Sequence, residues 1–556
     1  MKGEFMNSSD KRPVYVIGHK NPDTDSVCSA LAYAELKRRV TGENYKAIRC
    51  GHLNVETKFV LSRFGVKAPE YIKDIRTQVM DMDINTIHGI SPKLSLRNAW
   101  NIMHDADVVT LTITENSKIS GVITLGDIVG SYMDTDDRGI LALSKTPYSN
   151  IIETLEGSLI SGDDGGYIEK GSVIVSQKGS AGVGDGDIVI IPDGSEDARE
   201  CLEAGAGCLI TCSGTRPDDD VRNLASEKGV KIIVTKYDAF NASRLIDQAI
   251  PVDYFMKSQD LVIFKLTDFA DDIRPVMAQK HHRYFPVVDE KGDYIGMISR
   301  RNLLGARRKQ VILMDHNEKN QAVTGIETAN ILEIIDHHRL SAVETVSPVF
   351  FRNQPLGSAS TIVYLMYKEA HVDVTPEMAG LLCAAILSDT LIYKSPTCTD
   401  VDIQCGNELA HIAGIMQDDF AREMFRAGSD FDGKTGLQLL RRDFKKFTIE
   451  GYSVGISQVN AMTGEETEIA EKKALADIKE FMLAEQLDMA FFLATLIPSE
   501  SSKVIWAGDG SKEVLINGFQ TPIDDDAKDV YLKGIVSRKQ QFLPALVEGI
   551  SSISGD

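Results

Sequence analysis

The sequence predicts an α/β protein in which a parallel-sheet domain is interrupted by an inserted region and followed by an α+β domain. Residues 14–18 (VYVIG) are a short β-rich run, and apolar residues at helical spacing follow it. Residues 311–315 and 331–336 are two more β-rich runs that each end on an aspartate, as expected for parallel strands buried on both faces. Between residues 18 and 311, residues 109–129 align without gaps on residues 284–304, which indicates an internal repeat.

Composition and charge exclude several classes of protein. A chain of 556 residues predicts roughly three to five domains, and 43% apolar with 25% charged residues is typical of globular proteins. The net charge of −21 would repel nucleic acid or an anionic membrane, and a polyanionic substrate would need help from metal ions. The longest uncharged apolar run, Ala379 to Leu387, is too short to span a bilayer. We therefore expect a cytoplasmic protein with neither nucleic-acid nor membrane partners, whose eight cysteines, without a CxxC pair, are reduced thiols.

The first element is a strand followed by a polar loop and a helix. The loop GHKNPDTDS carries His19, Asp23 and Asp25, and the segment SVCSALAYAELKRRV continues as a helix with Asp25 or Ser26 as its cap. Taken alone, this loop also fits an ordinary Asn-Pro-Asp turn.

Each copy of the internal repeat has the order strand, turn, strand, Gly and a polar residue ahead of a helix. This pattern resembles the cystathionine-β-synthase-type (CBS) motif, whose tandem pairs bind adenine nucleotides. The junction of second strand and helix reads Gly-x-x-Thr/Ser-x-x-Asp/Asn, which makes four candidate nucleotide-binding residues: Thr124 and Asp127 in the first copy, Ser299 and Asn302 in the second. A small hydroxyl at a helix start suits a phosphate, and the residue three positions on suits ribose hydroxyls. These residue types are also good helix caps.

The second copy of the repeat has two further candidates. Arg283 could bind phosphate and Phe285 could stack on adenine, whereas the first copy has Asp107, Val109 and Thr110 around the same place. The second copy is therefore expected to contribute more to binding. Between the copies, Gly-rich turns and β-rich segments separated by helical stretches predict a small α/β domain.

Three further polar clusters end apolar runs later in the chain. ILMDHNE contains Asp315 and His316, EIIDHHR contains the Asp-His-His triplet of residues 336–338, and AAILSDT contains Asp389. Imidazole and carboxylate groups that converge from several strand ends on the carboxyl edge of a parallel sheet build a divalent-metal centre in such folds. The four clusters together predict such a centre.

HxNPDxD, DHN, DHH and SDT, in this order, resemble the DHH phosphoesterase superfamily and, within it, the family II inorganic pyrophosphatases, over residues 12–66 and about 307–550. The resemblance implies that Asp315 bridges two metal ions and that His338 faces the substrate. Asp336 would orient its neighbours. The implied ligands of the first ion are His19, Asp23 and Asp315, and those of the second are Asp25, Asp315, His337 and Asp389.

The implied reaction is hydrolysis of pyrophosphate to two orthophosphates by a metal-bridging hydroxide. Because the ligands include imidazoles, two Mn²⁺ or Co²⁺ ions per active site are expected rather than Mg²⁺, which would arrive with the substrate. In the C-terminal domain, SRKQQ matches the Ser-Arg-Lys signature of the family with Arg538 and Lys539. RRDFKKF places Lys445 at the position of the substrate lysine, with Lys446 as an alternative.

The resemblance divides the chain into a catalytic domain, an inserted regulatory region and a substrate-binding domain. In some members of the family a DRTGG domain lies between the two CBS motifs, although that string is absent here. The expected boundaries are 1–66 and 307–430 for the DHH catalytic domain, 67–135 and 247–306 for the CBS motifs, 136–246 for the DRTGG-like domain and 431–556 for the C-terminal domain.

Regulation by AMP, ADP, ATP or diadenosine polyphosphates and a homodimer or larger homo-oligomer are also expected. Two other functions stay open. A DHH phosphodiesterase acting on short oligonucleotides or cyclic dinucleotides would carry a Gly-Gly-Gly-His motif, which this sequence lacks. A catalytically silent nucleotide sensor would have lost ligand residues, but every matched position holds a competent one.

Overall fold

The computed structural model describes residues 12–133, 139–176, 179–192, 196–280, 282–341, 344–345, 347–429, 431 and 433–554. The chain forms two compact units, one of residues 12–76 with 308–554 and the other of residues 77–307. The inserted region is thus a unit of its own. Among the described residues, no helix combines the length and apolarity that crossing a membrane requires.

The elements of the first unit that precede the insertion are β1 (Val14–Ile17), α1 (Thr24–Thr41), β2 (Tyr45–Arg49), α2 (Val55–Arg63) and β3 (Glu70–Tyr71). The elements of the inserted unit are α3 (Leu96–Asp105), β4 (Thr110–Glu115), β5 (Lys118–Thr124), α4 (Leu125–Met133), α5 (Ile140–Leu143), α6 (Tyr148–Thr154), β6 (Ser158–Ser161), β7 (Val173–Val175), β8 (Ile188–Ile191), α7 (Glu196–Glu203), β9 (Cys208–Thr211), α8 (Asp219–Lys228), β10 (Lys231–Val234), α9 (Ala239–Leu245), β11 (Phe264–Lys265), α10 (Ala270–Gln279), β12 (Tyr284–Val288), β13 (Tyr294–Ser299) and α11 (Arg300–Leu304). The elements that follow the insertion are β14 (Gln310–Met314), β15 (Asn330–Asp336), β16 (Phe350–Asn353), α12 (Ala359–Glu369), α13 (Pro376–Asp389), α14 (Asp400–Ala413), α15 (Gln417–Gly428), α16 (Gly436–Leu440), β17 (Lys445–Ile449), β18 (Tyr452–Ala461), α17 (Gly464–Ala484), β19 (Met489–Leu496), β20 (Ser501–Ala507), α18 (Ser511–Phe519), β21 (Asp529–Lys533) and α19 (Leu543–Ser554).

The first unit contains a six-stranded sheet in the order β16-β15-β14-β1-β2-β3, and all its strands are parallel. Val16 and Ile312 pack with residues of α1, α12 and α13 on one face, and Ile17 and Leu313 belong to a second apolar cluster. The parallel sheet buried on both faces is confirmed. Its three central strands are the ones that the sequence predicts to end in polar clusters.

Helix α1 begins two or three residues earlier than the sequence predicts. The cap is Asp23, whose Oδ1 accepts a hydrogen bond from the Ser26 amide, so the prediction of Asp25 or Ser26 as cap is wrong. The carboxylate of Asp25 instead accepts bonds from the amides of Ala359 and Ser360 at the start of α12. A cap must place its side-chain oxygen within hydrogen-bonding distance of a free amide in the first helical turn. The Asn-Pro-Asp turn places the carboxylate of Asp23 in that position.

Asp389 lies at the end of a helix, not at the end of a strand. Its apolar run belongs to α13, which starts with Pro376 after the capping residue Thr375 and whose residues 379–387 are all buried. The Ala- and Leu-rich composition favours helix here, and a buried helix shows no amphipathic period that would separate it from a buried strand.

The inserted unit repeats one local fold. In the first copy β4 and β5 pair antiparallel with Thr110 opposite Thr124, and in the second β12 and β13 pair with Tyr284 opposite Ser299. A helix follows each hairpin, as the repeat predicts. Between the copies lies a five-stranded sheet in the order β6-β10-β9-β8-β7, packed with helices as a small α/β domain.

The chain after α16 forms a second five-stranded sheet, in the order β17-β18-β19-β20-β21. It is mixed, because β18 and β19 are parallel and the other neighbours are antiparallel. Helix α17 packs on one face and α18 with α19 on the other, which gives the α+β domain expected from the sequence.

Candidate metal centre and substrate cavity

The polar clusters of the first unit meet at the carboxyl edge of the parallel sheet. His19 and Asp23 lie in the loop after β1, Asp315 directly follows β14, and residues 336–338 end and follow β15. Since β1, β14 and β15 are neighbours in the sheet, these side chains are brought to one place.

The first group of donors consists of His19, Asp23 and Asp315, whose possible ligand atoms all lie within 4.8 Å of one another. His19 Nε2 lies 3.3 Å from Asp23 Oδ2 and 3.4 Å from Asp315 Oδ2. Asp23 Oδ1 caps α1, so that Oδ2 is the oxygen directed at the imidazole. The helix cap therefore fixes the orientation of a candidate ligand.

The second group consists of Asp25, His337 and Asp389, also within 4.8 Å of one another. His337 Nε2 lies 3.3 Å from Asp389 Oδ2 and 3.3 Å from Asp315 Oδ1. The two oxygens of Asp315 thus face different imidazoles, and this carboxylate lies between the two groups.

Among the described residues, buried polar atoms at the centre lie close to one another without forming a hydrogen bond. Asp315 Oδ1 and His337 Nε2 are buried and make no hydrogen bond. The other ring nitrogen of His337, Nδ1, donates to the carbonyl oxygen of Leu356 at 2.8 Å, which leaves Nε2 with a lone pair. Burying unpaired polar atoms is costly, and a cation between a carboxylate and an imidazole lone pair would satisfy both. The donor set fits divalent metal ions.

The electrostatics of the centre also favour bound cations. Burial and the neighbouring carboxylates raise the pKa values of Asp25 and Asp389. Despite its burial, Asp315 has a lowered pKa because His19 and His337 lie beside it. Burial opposes the charged form of both imidazoles, but Asp23 and Asp315 raise the pKa of His19, and Asp315, Asp389 and Asp25 raise that of His337. Four carboxylates thus crowd one place, and bound divalent ions would relieve the repulsion among them.

The backbone of Asp315 is in the left-handed region, with φ of 63°. A non-glycine residue there costs about 1–3 kcal/mol and persists only where the surroundings hold it. Its amide donates to the carbonyl of Ile335 at 2.8 Å, which anchors the turn at the end of β14. The strain therefore lies at the residue that faces both groups of donors.

Asp336 is fully buried, and its carboxylate accepts hydrogen bonds from both His337 and His338. Its Oδ1 accepts the backbone amide of His337 at 2.8 Å and the ring Nδ1–H of His338 at 2.9 Å. Its Oδ2 accepts from the amide group of Asn317. His338 therefore has Nε2 available for a ligand, with a side chain that is 39% exposed.

A cavity of about 110 Å³ lies beside the centre. It is lined by His316, Asn317, Glu318, Gln321, His338, Arg339 and Lys539. Two of the predicted substrate residues, His338 and Lys539, are thus brought together. Arg339 and Asn317 were missed by the sequence analysis, although each directly continues a recognised motif, DHH-Arg and DH-Asn. His316 donates from Nδ1 to the Met314 carbonyl, and burial lowers its pKa to about 4.

The other predicted substrate residues lie outside the residues that line this cavity. Arg538 donates to the backbone carbonyl of Asp443 and, at 3.1 Å, to its carboxylate. Lys446 donates to the carbonyls of Glu485 and Gln486 after α17. Lys445 is exposed at the start of β17.

A second cavity, of about 670 Å³, lies in the inserted unit between the two repeat copies. Thr124, Arg283 and Phe285 line it, with Lys257 and Tyr284. Phe285 is only 1% exposed and packs against Phe264, so the partly exposed Tyr284 is the more accessible ring.

Asp127, Ser299 and Asn302 do not line this cavity. Thr124 with Asp127, and Ser299 with Asn302, bond to each other as reciprocal helix caps. Asp127 also pairs with Lys257 at 2.9 Å.

Two family models match the chain. The model described as "DHH family, N-terminal domain" matches residues 13–386, and the model described as "DHHA2 domain" matches residues 422–548. The first match extends across the inserted unit.

Proteins similar along the whole chain are named as pyrophosphatases. A "Cobalt-dependent inorganic pyrophosphatase" of Clostridium perfringens is 38% identical, covering 98% of this chain and 99% of the relative. A "Probable manganese-dependent inorganic pyrophosphatase" of Thermotoga maritima is 32% identical, covering 96% and 98%. The crystal structure of the CBS and DRTGG domains of the regulatory region of Clostridium perfringens pyrophosphatase, complexed with the activator diadenosine tetraphosphate, is 31% identical with a TM-score of 0.39, covering 40% of this chain and 99% of that one. The chain belongs to the family II inorganic pyrophosphatases of the DHH superfamily.

Proposed function

We propose that this chain hydrolyses inorganic pyrophosphate at a centre of two divalent metal ions that share Asp315. The observation that supports this most directly is the geometry of that carboxylate, with Oδ2 at 3.4 Å from His19 Nε2 and Oδ1 at 3.3 Å from His337 Nε2. In this proposal His19, Asp23 and Asp315 hold one ion. The other ion is held by Asp25, Asp315, His337 and Asp389.

We expect the resident ions to be Mn²⁺ or Co²⁺. Each group includes an imidazole, which suits transition metals better than Mg²⁺. The two full-length relatives are named as cobalt-dependent and manganese-dependent, which agrees with this preference. Bound in pairs, such ions neutralise phosphate charge and lower the pKa of the attacking water. Mg²⁺ would accompany pyrophosphate.

The side chains of the small cavity would bind and orient the substrate. Lys539 and Arg339 provide positive charge for phosphate oxygens, and His338 provides Nε2 because Asp336 holds its other nitrogen. Lys445 and Arg538 would need to approach the second phosphate group from the C-terminal domain. In-line attack of water on one phosphorus would break the bridging P–O bond. The positive side chains of these lysines and arginines would stabilise the departing orthophosphate.

The test is phosphate release from Mg-pyrophosphate, tripolyphosphate and a dinucleotide by the full chain. Protein stripped by a chelator should regain activity with Mn²⁺ or Co²⁺ and should prefer pyrophosphate. Equal restoration by Mg²⁺ alone would contradict the proposed ion preference, and preferred cleavage of the dinucleotide would favour a phosphodiesterase.

We also propose that an adenine nucleotide binds the 670 Å³ cavity and changes the rate of hydrolysis. A cavity of this size is typical for small-molecule ligands, and it combines Arg283 and Lys257 with apolar residues such as Val109 and Leu125. The inserted unit joins the catalytic unit at both ends, so a nucleotide that prefers one arrangement of the repeats could bias the metal centre.

Calorimetric titration with AMP, ADP, ATP and diadenosine polyphosphates, with parallel rate measurements, tests this regulation. Binding without a change of rate would remove the regulatory role, and absence of binding would remove the site. Sedimentation of the same samples tests the expected homodimer or larger homo-oligomer.

A further inference from the structure

Glu56, in the first turn of α2, joins two distant segments of the catalytic unit through one oxygen atom. Its Oε1 accepts a hydrogen bond from the hydroxyl of Thr24 at 2.6 Å and another from the hydroxyl of Ser388 at 2.5 Å. Thr24 is the first residue of α1, and Ser388 lies one residue before the end of α13. One carboxylate therefore ties the start of one helix to the end of another.

Both hydroxyl residues stand directly beside candidate metal ligands. Thr24 lies between Asp23 and Asp25 in the sequence, and Ser388 precedes Asp389. Asp25 and Asp389 belong to the same group of donors around His337. The position of Glu56 thus bears on how far apart these two carboxylates lie.

Asp25 and Asp389 differ in how their own side chains are supported. The carboxylate of Asp25 accepts the amides of Ala359 and Ser360, at 2.6 and 3.0 Å, together with the Ser360 hydroxyl. The side chain of Asp389 is 30% exposed, and among the described residues it lies 3.3 Å from His337 Nε2 without a hydrogen bond that fixes its direction. The direction of Asp389 therefore depends mainly on the backbone at the end of α13, where Ser388 is held by Glu56.

Glu56 is itself held in place. Asn54 caps α2 by accepting the amide of Thr57 at 2.7 Å, and the hydroxyl of Thr57 lies 3.2 Å from that of Thr24. Burial raises the pKa of Glu56, and the hydroxyl bonds from Ser388 and Thr24 and the positive charge of Arg442 oppose this shift. Burial of part of the side chain makes these bonds harder to replace by water.

We propose that Glu56 is a positioning residue for the second metal site, acting through Thr24 and Ser388 to keep Asp25 and Asp389 at metal-binding separation. The inference rests on the proposed roles of these two aspartates as ligands. Groups behind metal ligands typically change metal affinity about 10–100-fold when removed. The effect of Glu56 should therefore fall on the affinity of one ion.

The experiment is a Co²⁺ titration of the metal-stripped full chain, with calorimetry and metal analysis, on wild type and on Glu56→Ala, Glu56→Gln and Glu70→Gln. Glu70 is the matched control, an exposed carboxylate paired with Lys46 on the same sheet. Wild type and Glu70→Gln should bind two ions per chain. Glu56→Ala should bind one ion as wild type and the other about tenfold or more weakly. The Gln variant should recover part of the loss because its amide oxygen can still accept both hydroxyl bonds.

The dependence of kcat on Co²⁺ concentration separates a role in metal binding from a role in supporting the fold. The kcat of Glu56→Ala should rise towards wild type as Co²⁺ saturates the weakened site, with little change in its melting temperature in chelator. Two wild-type affinities in Glu56→Ala would overturn the proposal. A lowered melting temperature in chelator together with weakening of both ions would also overturn it, because Glu56 would then support the fold in general.

The route through Ser388 is tested by combining substitutions. Ser388→Ala should weaken the same ion, and Glu56→Ala with Ser388→Ala should be no weaker than Glu56→Ala alone. Additive losses would overturn this route. If wild type itself binds fewer than two ions, the proposed two-metal function fails. If wild type binds two ions and Glu56→Ala binds them equally well, only the proposed role of Glu56 fails.

Discussion

Asp315 is the residue whose loss should damage the metal centre most. Because its two oxygens face His19 and His337, Asp315→Ala removes a contact from both groups of donors. We expect metal analysis to show weakened binding of both ions and activity to fall at least about a hundredfold. Asp315→Asn keeps the shape and, unlike alanine, tolerates the left-handed backbone, so it separates the loss of charge from the backbone strain that alanine would add. Retention of two tightly bound ions by Asp315→Ala would contradict the bridge.

Lys539 should act on the substrate and leave the ions in place. It lines the small cavity with His338 and Arg339, and removing one group that stabilises developing charge typically costs about 10²–10³ in rate. Lys539→Ala should therefore lose activity by about this factor while metal analysis still finds two ions. Lys528→Ala, at an exposed position of the same domain, is the control and should be unchanged.

At the scale of the element, strand β17 places the adjacent Lys445 and Lys446 on opposite faces of its sheet. Successive residues of a strand point to opposite faces, and Lys446 is occupied by the carbonyls of Glu485 and Gln486. We expect Lys445→Ala to raise the KM for pyrophosphate with the melting temperature unchanged. Lys446→Ala should lower the free energy of unfolding by about 0.5–1 kcal/mol at constant kcat/KM. The reverse pattern would make Lys446 the substrate lysine.

In the second repeat of the inserted unit, we expect helix capping and nucleotide binding to depend on different residues. Ser299 bonds Asn302 as a cap and lies outside the cavity lining, whereas Arg283 lines the cavity. We expect Ser299→Ala to cost about 0.5–2 kcal/mol of stability. Arg283→Met should weaken ADP binding about tenfold in calorimetry without a change in melting temperature. The exposed Arg301 of the same repeat supplies the control variant Arg301→Met, and equal weakening in both would argue against a phosphate contact.

At the scale of the whole molecule, the insertion should be separable from catalysis. Lys309 Nζ donates to the carbonyl of Arg76 at 3.2 Å, so the two ends of the catalytic unit lie close together where the insertion leaves and returns. A chain in which a short Gly-Ser linker replaces residues 77–307 should hydrolyse pyrophosphate and show no response to nucleotides. A persisting nucleotide response in this variant would place the regulatory site in the catalytic unit.

Local patterns in the sequence were sufficient for the parallel sheet, the repeat and most candidate ligands. Strand period, polar strand ends and helix-start residues are set by neighbours along the chain, so His19, Asp23 and the DHH triplet could be recognised directly. The buried helix α13 was less accessible, because an apolar run that is buried all round has no period to read. Asp389 was recognised from its motif, but the sequence pattern did not show that it ends a helix.

What the sequence determined by itself is which chemical groups are present and at which ends of elements they stand. Only the tertiary structure decided which oxygen of Asp315 faces which imidazole, which of Lys445 and Lys446 is occupied, and that Glu56 reaches both Thr24 and Ser388. Those relations join residues from about twenty to more than three hundred positions apart. They arise from packing of helices and strands that no local period encodes, since a hydrogen bond between distant residues depends on where both backbones are placed.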